Sequence, residues 1–379
     1  MHKKAIFFTA SLFMLAISTA HADYALNLKA PATTIAAQIY DLHMLILYVC
    51  TAIFVVVFSI MFYSIYKHRR SVGHKAVQFH EHHMLEVIWT IIPAVILVAM
   101  AIPATKTIFA MKDTSAADMT VKVTGYQWKW EYDYIDKDVR FISSLSTSQD
   151  QINNVDEKSE NYLLEVDNPM VVPVGKKVRV LLTASDVIHA FWVPEFGIKQ
   201  DAIPGFIKEV WFKVDQPGTY RGQCAELCGK AHGYMPIVVE AVSEEKYAAW
   251  LVAKNEEAKS AAAGADKEWT KDDLIANGKL VYEKNCAVCH QVNGAGLPPA
   301  FPAITGSKIA LGPVFGADGK YLKDGEIDRL LNGKGVMPAW KGILNDVEIA
   351  SVITYTRQSL GNAAKIDPII QPAQIKASR

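Results

Sequence analysis

Unbroken apolar stretches, alternating stretches and stretches of helical period succeed one another along this chain, and each predicts a different element. Met44 to Tyr66 is a run of 23 residues without a charge. As a helix it would exceed the ~30 Å hydrocarbon thickness of a bilayer. A second uncharged run of 19 residues, Val87 to Thr105, contains Pro93 and Pro103, which spanning helices tolerate better than soluble ones. Together they predict a transmembrane helical hairpin within residues 23–113, with helices over about 42–66 and 84–108. Between them "KHRRSVGHK" carries Lys67, Arg69, Arg70 and Lys75, which assigns that loop to the cytoplasm. Ahead of the hairpin, residues 1–22 show a basic start, a short apolar core and an Ala-x-Ala ending at Ala22. This is the pattern of a signal peptide, with Asp23 as the first mature residue. Both arguments place the two ends of the hairpin, and all later sequence, outside.

Beyond residue 114 the period shortens. "KVRVLLT" and "EVWFKV" alternate, and Asn-Pro, Val-Gly-Lys and Gln-Pro-Gly breaks punctuate the runs around them. A small antiparallel β sandwich or barrel over 114–253 is expected. The segment 254–268 is polar, small and aperiodic, and reads as a flexible or partly helical linker. From Trp269 the period becomes helical: "DDLIANGKLVYEKNCAVCH" is amphipathic, a Gly/Pro loop follows, and "GEIDRLLNGKGVMPAWKGILNDVEIASVITYTRQSL" has helical spacing at both ends. A small all-α domain over 269–362 and a polar tail over 363–379 complete the expected organisation.

Composition adds two constraints. The formal net charge is zero over 379 residues, so no global basic field draws nucleic acid to this chain. Of eleven histidines only His189, His232 and His290 lie beyond residue 111, and four of the five cysteines form two close pairs. The soft and imidazole donors of the external region are thus gathered into short motifs.

Cys286-x-x-Cys289-His290 has the c-type haem attachment spacing, with two thiols for thioethers and an adjacent imidazole for the iron. Met337 in "GKGVMPAW" is the candidate sixth ligand, because a thioether opposite histidine raises the potential. A disulfide or a thioredoxin-like redox pair is the alternative, although the latter belongs at a strand–helix junction and this motif follows a helix.

The second motif is "QCAELCGKAHGYMP", which supplies Cys224, Cys228, His232 and Met235. His189 in "SDVIHAFWVP" is the other external imidazole. A mononuclear blue-copper site takes two histidines, one cysteine and a weak methionine. This set has one thiolate more, which suits two coppers bridged by both thiolates, with Met235 on one and a backbone carbonyl on the other. A disulfide between Cys224 and Cys228, or a zinc ion held by Cys2His2, stays open.

On these residues the chain resembles subunit II of haem–copper cytochrome c oxidases carrying a fused C-terminal cytochrome c domain. The resemblance covers nearly the whole chain. It implies a two-helix transmembrane hairpin, an all-β cupredoxin-like sandwich and an all-α class I cytochrome c domain. It also implies that His189, Cys224, Cys228, His232 and Met235 ligate the binuclear copper centre CuA. Glu226 would contribute its backbone carbonyl to one copper, and its carboxylate to a magnesium or manganese ion at the interface with subunit I. Trp128 in "GYQWKWEY" matches the tryptophan through which electrons enter CuA; its bland reading is a packed sandwich aromatic. Glu86 in "HHMLEVIWTIIPA" matches a glutamate at the mouth of a proton channel, and its bland reading is a carboxylate favoured at a helix N-terminus. Asp186 in "SDVIH" and Asp201 in "KQDAIPG" fall in family-like stretches, with surface docking or loop hydrogen bonding as their possible roles.

The implied protein is the electron-entry subunit of a terminal oxidase in the bacterial inner membrane, with its soluble domains in the periplasm. Its implied partners are subunits I and III, the lipid bilayer, and a periplasmic cytochrome c or membrane quinol–cytochrome c reductase as donor. Oxygen reduction and proton translocation belong to the complex. A CuA-bearing subunit of a nitric oxide reductase would share the same motifs. A copper-delivery protein would need a thioredoxin-like βαβ pattern instead.

Overall fold

The computed structural model describes residues 27–75, 78, 80–135 and 137–379; the expected signal peptide lies outside the described residues. Two long helices, Thr34–Lys67 and His83–Lys112, form the apolar hairpin and expose their sides almost throughout. Pro93 and Pro103 lie inside the second helix without ending it. The first helix begins well ahead of the uncharged run, because its first turn rests on protein. Thr33 caps it by accepting from the Ala36 amide at 3.0 Å, and its own hydroxyl donates to the Phe196 carbonyl at 2.9 Å. Ile35 and Ala36 are buried there. Gly197 makes the approach possible, since a Cβ on it would stand 2.9 Å from Ala36 Cα. The second helix also runs past its expected end to Lys112, where the Trp211 indole donates to the Ala110 carbonyl at 3.1 Å. Both membrane helices are therefore tied to the β domain at their outer ends.

That domain is a sandwich of two five-stranded sheets. One has the order β3 (Val139–Ser143), β2 (Lys129–Tyr134), β1 (Met119–Tyr126), β5 (Lys177–Ala184), β8 (Lys208–Lys213). The other has the order β4 (Met170–Pro173), β10 (Pro236–Val242), β9 (Gly218–Cys224), β6 (His189–Val193), β7 (Ile198–Ala202). The expected all-antiparallel pairing is corrected at two places: β1 pairs β5, and β4 pairs β10, in parallel. Alternation along a strand reports which face is buried but carries no information on the direction of the neighbour. It did mark the faces: Val178, Val180, Leu182 and Ala184 of β5 point into a core shared with Trp130, Tyr132, Phe191 and Ile237. The Tyr134 hydroxyl joins the two sheets, donating to the Val171 carbonyl at 2.8 Å and accepting from its amide at 2.9 Å.

The expected linker is for the most part a helix. Glu244–Gly264 runs continuously from a Ser243 cap, with Tyr247, Trp250 and Leu251 packed on the sandwich. Its outer half has no apolar stripe, but its alanine, glutamate and lysine residues are strong helix formers. The last domain crosses helix Lys271–Asn285 with helix Asp346–Gln358. Gly278 sits at the crossing, where a Cβ would fall 2.1 Å from the Ser351 carbonyl oxygen, so only glycine permits it. Arg357 is fully buried, paired with Glu326 at 3.0 Å, and donates to the Gly312 and Ile366 carbonyls. The segment read as a polar tail contributes to this core: Ile370 and Ile375 are fully buried and Pro372–Lys376 is helical. The isoleucines of this segment, set among prolines and polar residues, give no periodic signal, so burial there depends on the cleft they meet.

Candidate metal centres

The first centre lies at one end of the second sheet. His189 opens β6, Cys224 ends β9, and the loop from Cys224 to β10 carries the remaining donors. The thiol sulfurs of Cys224 and Cys228 stand 3.8 Å apart, far beyond the ~2.05 Å of a disulfide. The His189 Nδ1 atom lies 3.9 Å from Cys224 Sγ, and the His232 Nδ1 atom 3.5 Å from Cys228 Sγ. Met235 Sδ is 3.6 Å from Cys228 Sγ, while the Glu226 carbonyl oxygen is 3.4 Å from Cys224 Sγ. Each thiol thus has one imidazole beside it, with a thioether on one side and a carbonyl on the other. All five side-chain ligands expected of the copper site converge, and the Glu226 carbonyl joins them. The Glu226 carboxylate belongs to an exposed residue.

This donor set fits two adjacent soft-liganded ions better than the alternatives. Zinc would leave the buried Met235 thioether unexplained, and one copper would leave a thiolate over. The two thiols share a proton: the hydrogen bond from Cys228 holds the Cys224 thiol well below the usual thiol range, while the same contact pushes Cys228 up. Bound as metal ligands, both thiols would be deprotonated.

Supporting residues hold the donors in place. The His189 Nε2–H donates to Asp186 Oδ1 at 2.9 Å, which leaves Nδ1 facing the thiols. The other Asp186 oxygen accepts from the Gln127 amide at 2.7 Å. Gly125 on β1 lets the imidazole lie close, because a Cβ there would come within 2.8 Å of His189 Cδ2. Trp130 packs edge-on against the same ring at 5.9 Å. Of these only Asp186 carried a sequence signal, its place in the family-like stretch "SDVIH". Gly125 and Trp130 sit on the opposite sheet, which local sequence does not reveal.

Trp128 is half-buried and packs on the sandwich core, in line with its bland reading, yet it also touches the copper loop. Its indole N–H donates to the Cys228 carbonyl at 3.1 Å, and the Gln127 side-chain amide donates to the same oxygen at 2.8 Å. Glu86 lies far along the chain fold, in the first turn of the second membrane helix, where it accepts from the His82 amide at 3.2 Å. The contact lies at the helix N-terminus, where the dipole also favours a carboxylate.

The second centre is the haem motif. Cys286 follows helix Lys271–Asn285, and Cys286 and Cys289 are half-buried and unbridged. The His290 Nδ1–H donates to the Pro302 carbonyl at 2.8 Å, which frees Nε2 for an iron. Gly296 makes room for that carbonyl, since a Cβ on it would stand 2.6 Å from Pro302 oxygen. Met337 packs on the same core cluster as Cys286, in a turn closed by paired Lys334 and Met337 backbone hydrogen bonds. Trp340 Nε1 is buried without a hydrogen-bond partner, the kind of orphaned donor a bound group satisfies. The residues present fit a covalently held haem.

Three family models match the chain in succession. They are "Cytochrome C oxidase subunit II, transmembrane domain" over residues 21–107, "Cytochrome C oxidase subunit II, periplasmic domain" over 119–242, and "Cytochrome C oxidase, cbb3-type, subunit III" over 273–355. The cytochrome c oxidase subunit 2 of Cereibacter sphaeroides is 41% identical over 233 residues, covering 58% of this chain and 77% of that protein. The probable cytochrome c oxidase subunit 2 of Rickettsia bellii is 39% identical over 231 residues, covering 61% and 84%. The crystal structure of the periplasmic domain of subunit II of the Bradyrhizobium japonicum cytochrome oxidase is 46% identical, covering 37% of this chain and 96% of that one, with a TM-score of 0.34.

Proposed function

The chain belongs to the cytochrome c oxidase subunit II family, as a component of an oxidoreductase complex, and from that premise we propose how its residues serve electron entry. The observation that carries the reading is the convergence of His189, Cys224, Cys228, His232, Met235 and the Glu226 carbonyl around two unbonded thiols. Cys224, Cys228, His189, His232, Met235 and the Glu226 carbonyl would together hold two coppers. Cys286 and Cys289 would attach haem c, and His290 and Met337 would hold its iron. When bound, the haem and the copper pair supply one-electron carriers on neighbouring domains of one chain.

Around them the protein orients the donors. Asp186 orients His189, and the Pro302 carbonyl orients His290. Trp128 links the β1–β2 turn to the Cys228 carbonyl and is the candidate route into the copper loop. The exposed Glu226 carboxylate is free to meet a magnesium or manganese ion at a subunit I surface. Glu86 keeps its proposed place at a proton-channel mouth only if subunit I covers that helix start. The hairpin anchors the chain in a membrane; our proposal takes that membrane to be the bacterial inner one, with the soluble domains in the periplasm. Subunits I and III and a cytochrome c or quinol–cytochrome c reductase donor complete the proposed complex.

Metal analysis with electron paramagnetic resonance on the purified full chain tests this reading. Two coppers and one covalent haem per chain are expected, with copper hyperfine structure shared over both nuclei. A single copper, or zinc in its place, overturns the binuclear assignment.

A further inference from the structure

Three lysines join the two cofactor-bearing domains, and none is required by either metal site. Lys230 belongs to the copper loop, between Cys228 and His232, and its ammonium donates to the Val288 carbonyl at 2.9 Å. Val288 lies between the two haem-attachment cysteines, so one side chain connects the copper loop to the haem motif. Lys129 stands next to Trp128 on β2 and is only 4% exposed. Its ammonium donates to Asn285 Oδ1 at 2.9 Å and sits 4.0 Å over the Trp340 ring. Asn285 immediately precedes Cys286, and it is itself buried, with its amide donating to the Val281 carbonyl. In the reverse direction Lys284 of the cytochrome domain pairs with Asp167 of the sandwich.

A buried lysine on a strand of one domain, received by a buried asparagine and an indole of another, is a costly arrangement unless the domains meet there in one register. We propose that Lys129 and Lys230 are docking residues that seat the cytochrome domain on the copper loop, making the chain's own haem motif the partner of the face beside Trp128. This rests on the reading of the two motifs as copper and haem sites. It extends that reading from a tethered domain to a docked one, in which both lysines are positioning residues.

The rival arrangement is a cytochrome domain held solely by the connecting helix. The Trp269 indole donates to the Gly264 carbonyl at 3.0 Å, so the helix end does grip that domain. A distance measurement separates the two. Nitroxide labels replace Lys213, exposed on β8, and Leu280, 66% exposed on the helix before the haem motif, in a full chain carrying Cys50→Ser. Pulsed dipolar spectroscopy should give one narrow distance. In Lys129→Glu/Lys230→Glu the buried partner positions oppose a carboxylate, and Glu348 adds repulsion. The docked-to-undocked ratio should then fall at least roughly tenfold and the distribution broaden. Lys230→Ala alone should broaden it less. Copper and haem contents are measured on the same samples. Full loading with an unchanged narrow distance overturns the docking proposal alone, whereas failed loading of the parent chain overturns the site assignment beneath it.

Discussion

The copper loop and the haem motif are both short cysteine–histidine sequences, but the fold treats them differently. In the copper loop the thiols, imidazoles, thioether and carbonyl already lie within 4 Å of a neighbouring donor. That arrangement draws on β6, β9 and the loop together, and is backed by Gly125 and Trp130 from the opposite sheet. In the haem motif the histidine is oriented by Pro302, while Met337 comes from a distant turn. A macrocycle bridges the space between its protein ligands, so its attachment sequence can be local and open. Two bare ions have nothing between them but the side chains, so the whole sandwich must hold those side chains in place.

The sharpest break of that comparison is removal of one thiol from each site. Cys228→Ser should abolish binding of both coppers while leaving the covalent haem spectrum intact; Cys289→Ser should weaken covalent haem attachment and leave the copper signal. Loss of both cofactors in either variant would show that the two sites fold as one unit.

Next comes the cytochrome core. Gly278→Ala forces a Cβ toward the Ser351 carbonyl and should destabilise that domain by about 3 kcal/mol. Thermal melting followed at the haem should shift down while the copper signal melts where it did before. A single shared shift would mean the docked domains unfold together.

For the support of the copper donors, Asp186→Asn should weaken copper retention against a chelator by about 10- to 100-fold, the usual cost of losing a carboxylate behind a metal-binding histidine. An unchanged titration would leave Asp186 as a loop tie to the Gln127 amide and nothing more.

Docking should also depend on pH. Burial pulls Lys129 down to about 7 in the docked chain, whereas an exposed lysine titrates near 10.4. The groups facing it are Lys284, Asp167, Glu348 and the Cys286 side chain. Docking therefore releases a proton between these two values, and should be weakest below pH 7 and strengthen as pH rises toward 10. The spin-label distance distribution should narrow over that range, and Lys129→Met should flatten the trend.

Much of this molecule is legible in its sequence, for identifiable reasons. Uncharged length marks membrane helices, because lipid rejects charge wherever it occurs. Alternation marked the inward residues of β5, because the pleat is periodic. Fixed spacing in C-x-x-C-H and in Cys224–Met235 assembled most ligands, because a loop of set length keeps its own side chains near one another. Only tertiary structure could decide the rest. The parallel pairing of β1 with β5, the burial of Ile370 and Ile375, the start of the first helix on Gly197, and the support of His189 by Gly125 all join residues distant in sequence. So do the bridges of Lys129 and Lys230 to the haem motif. Such contacts depend on where two surfaces meet, and no local pattern of apolar and polar residues records that.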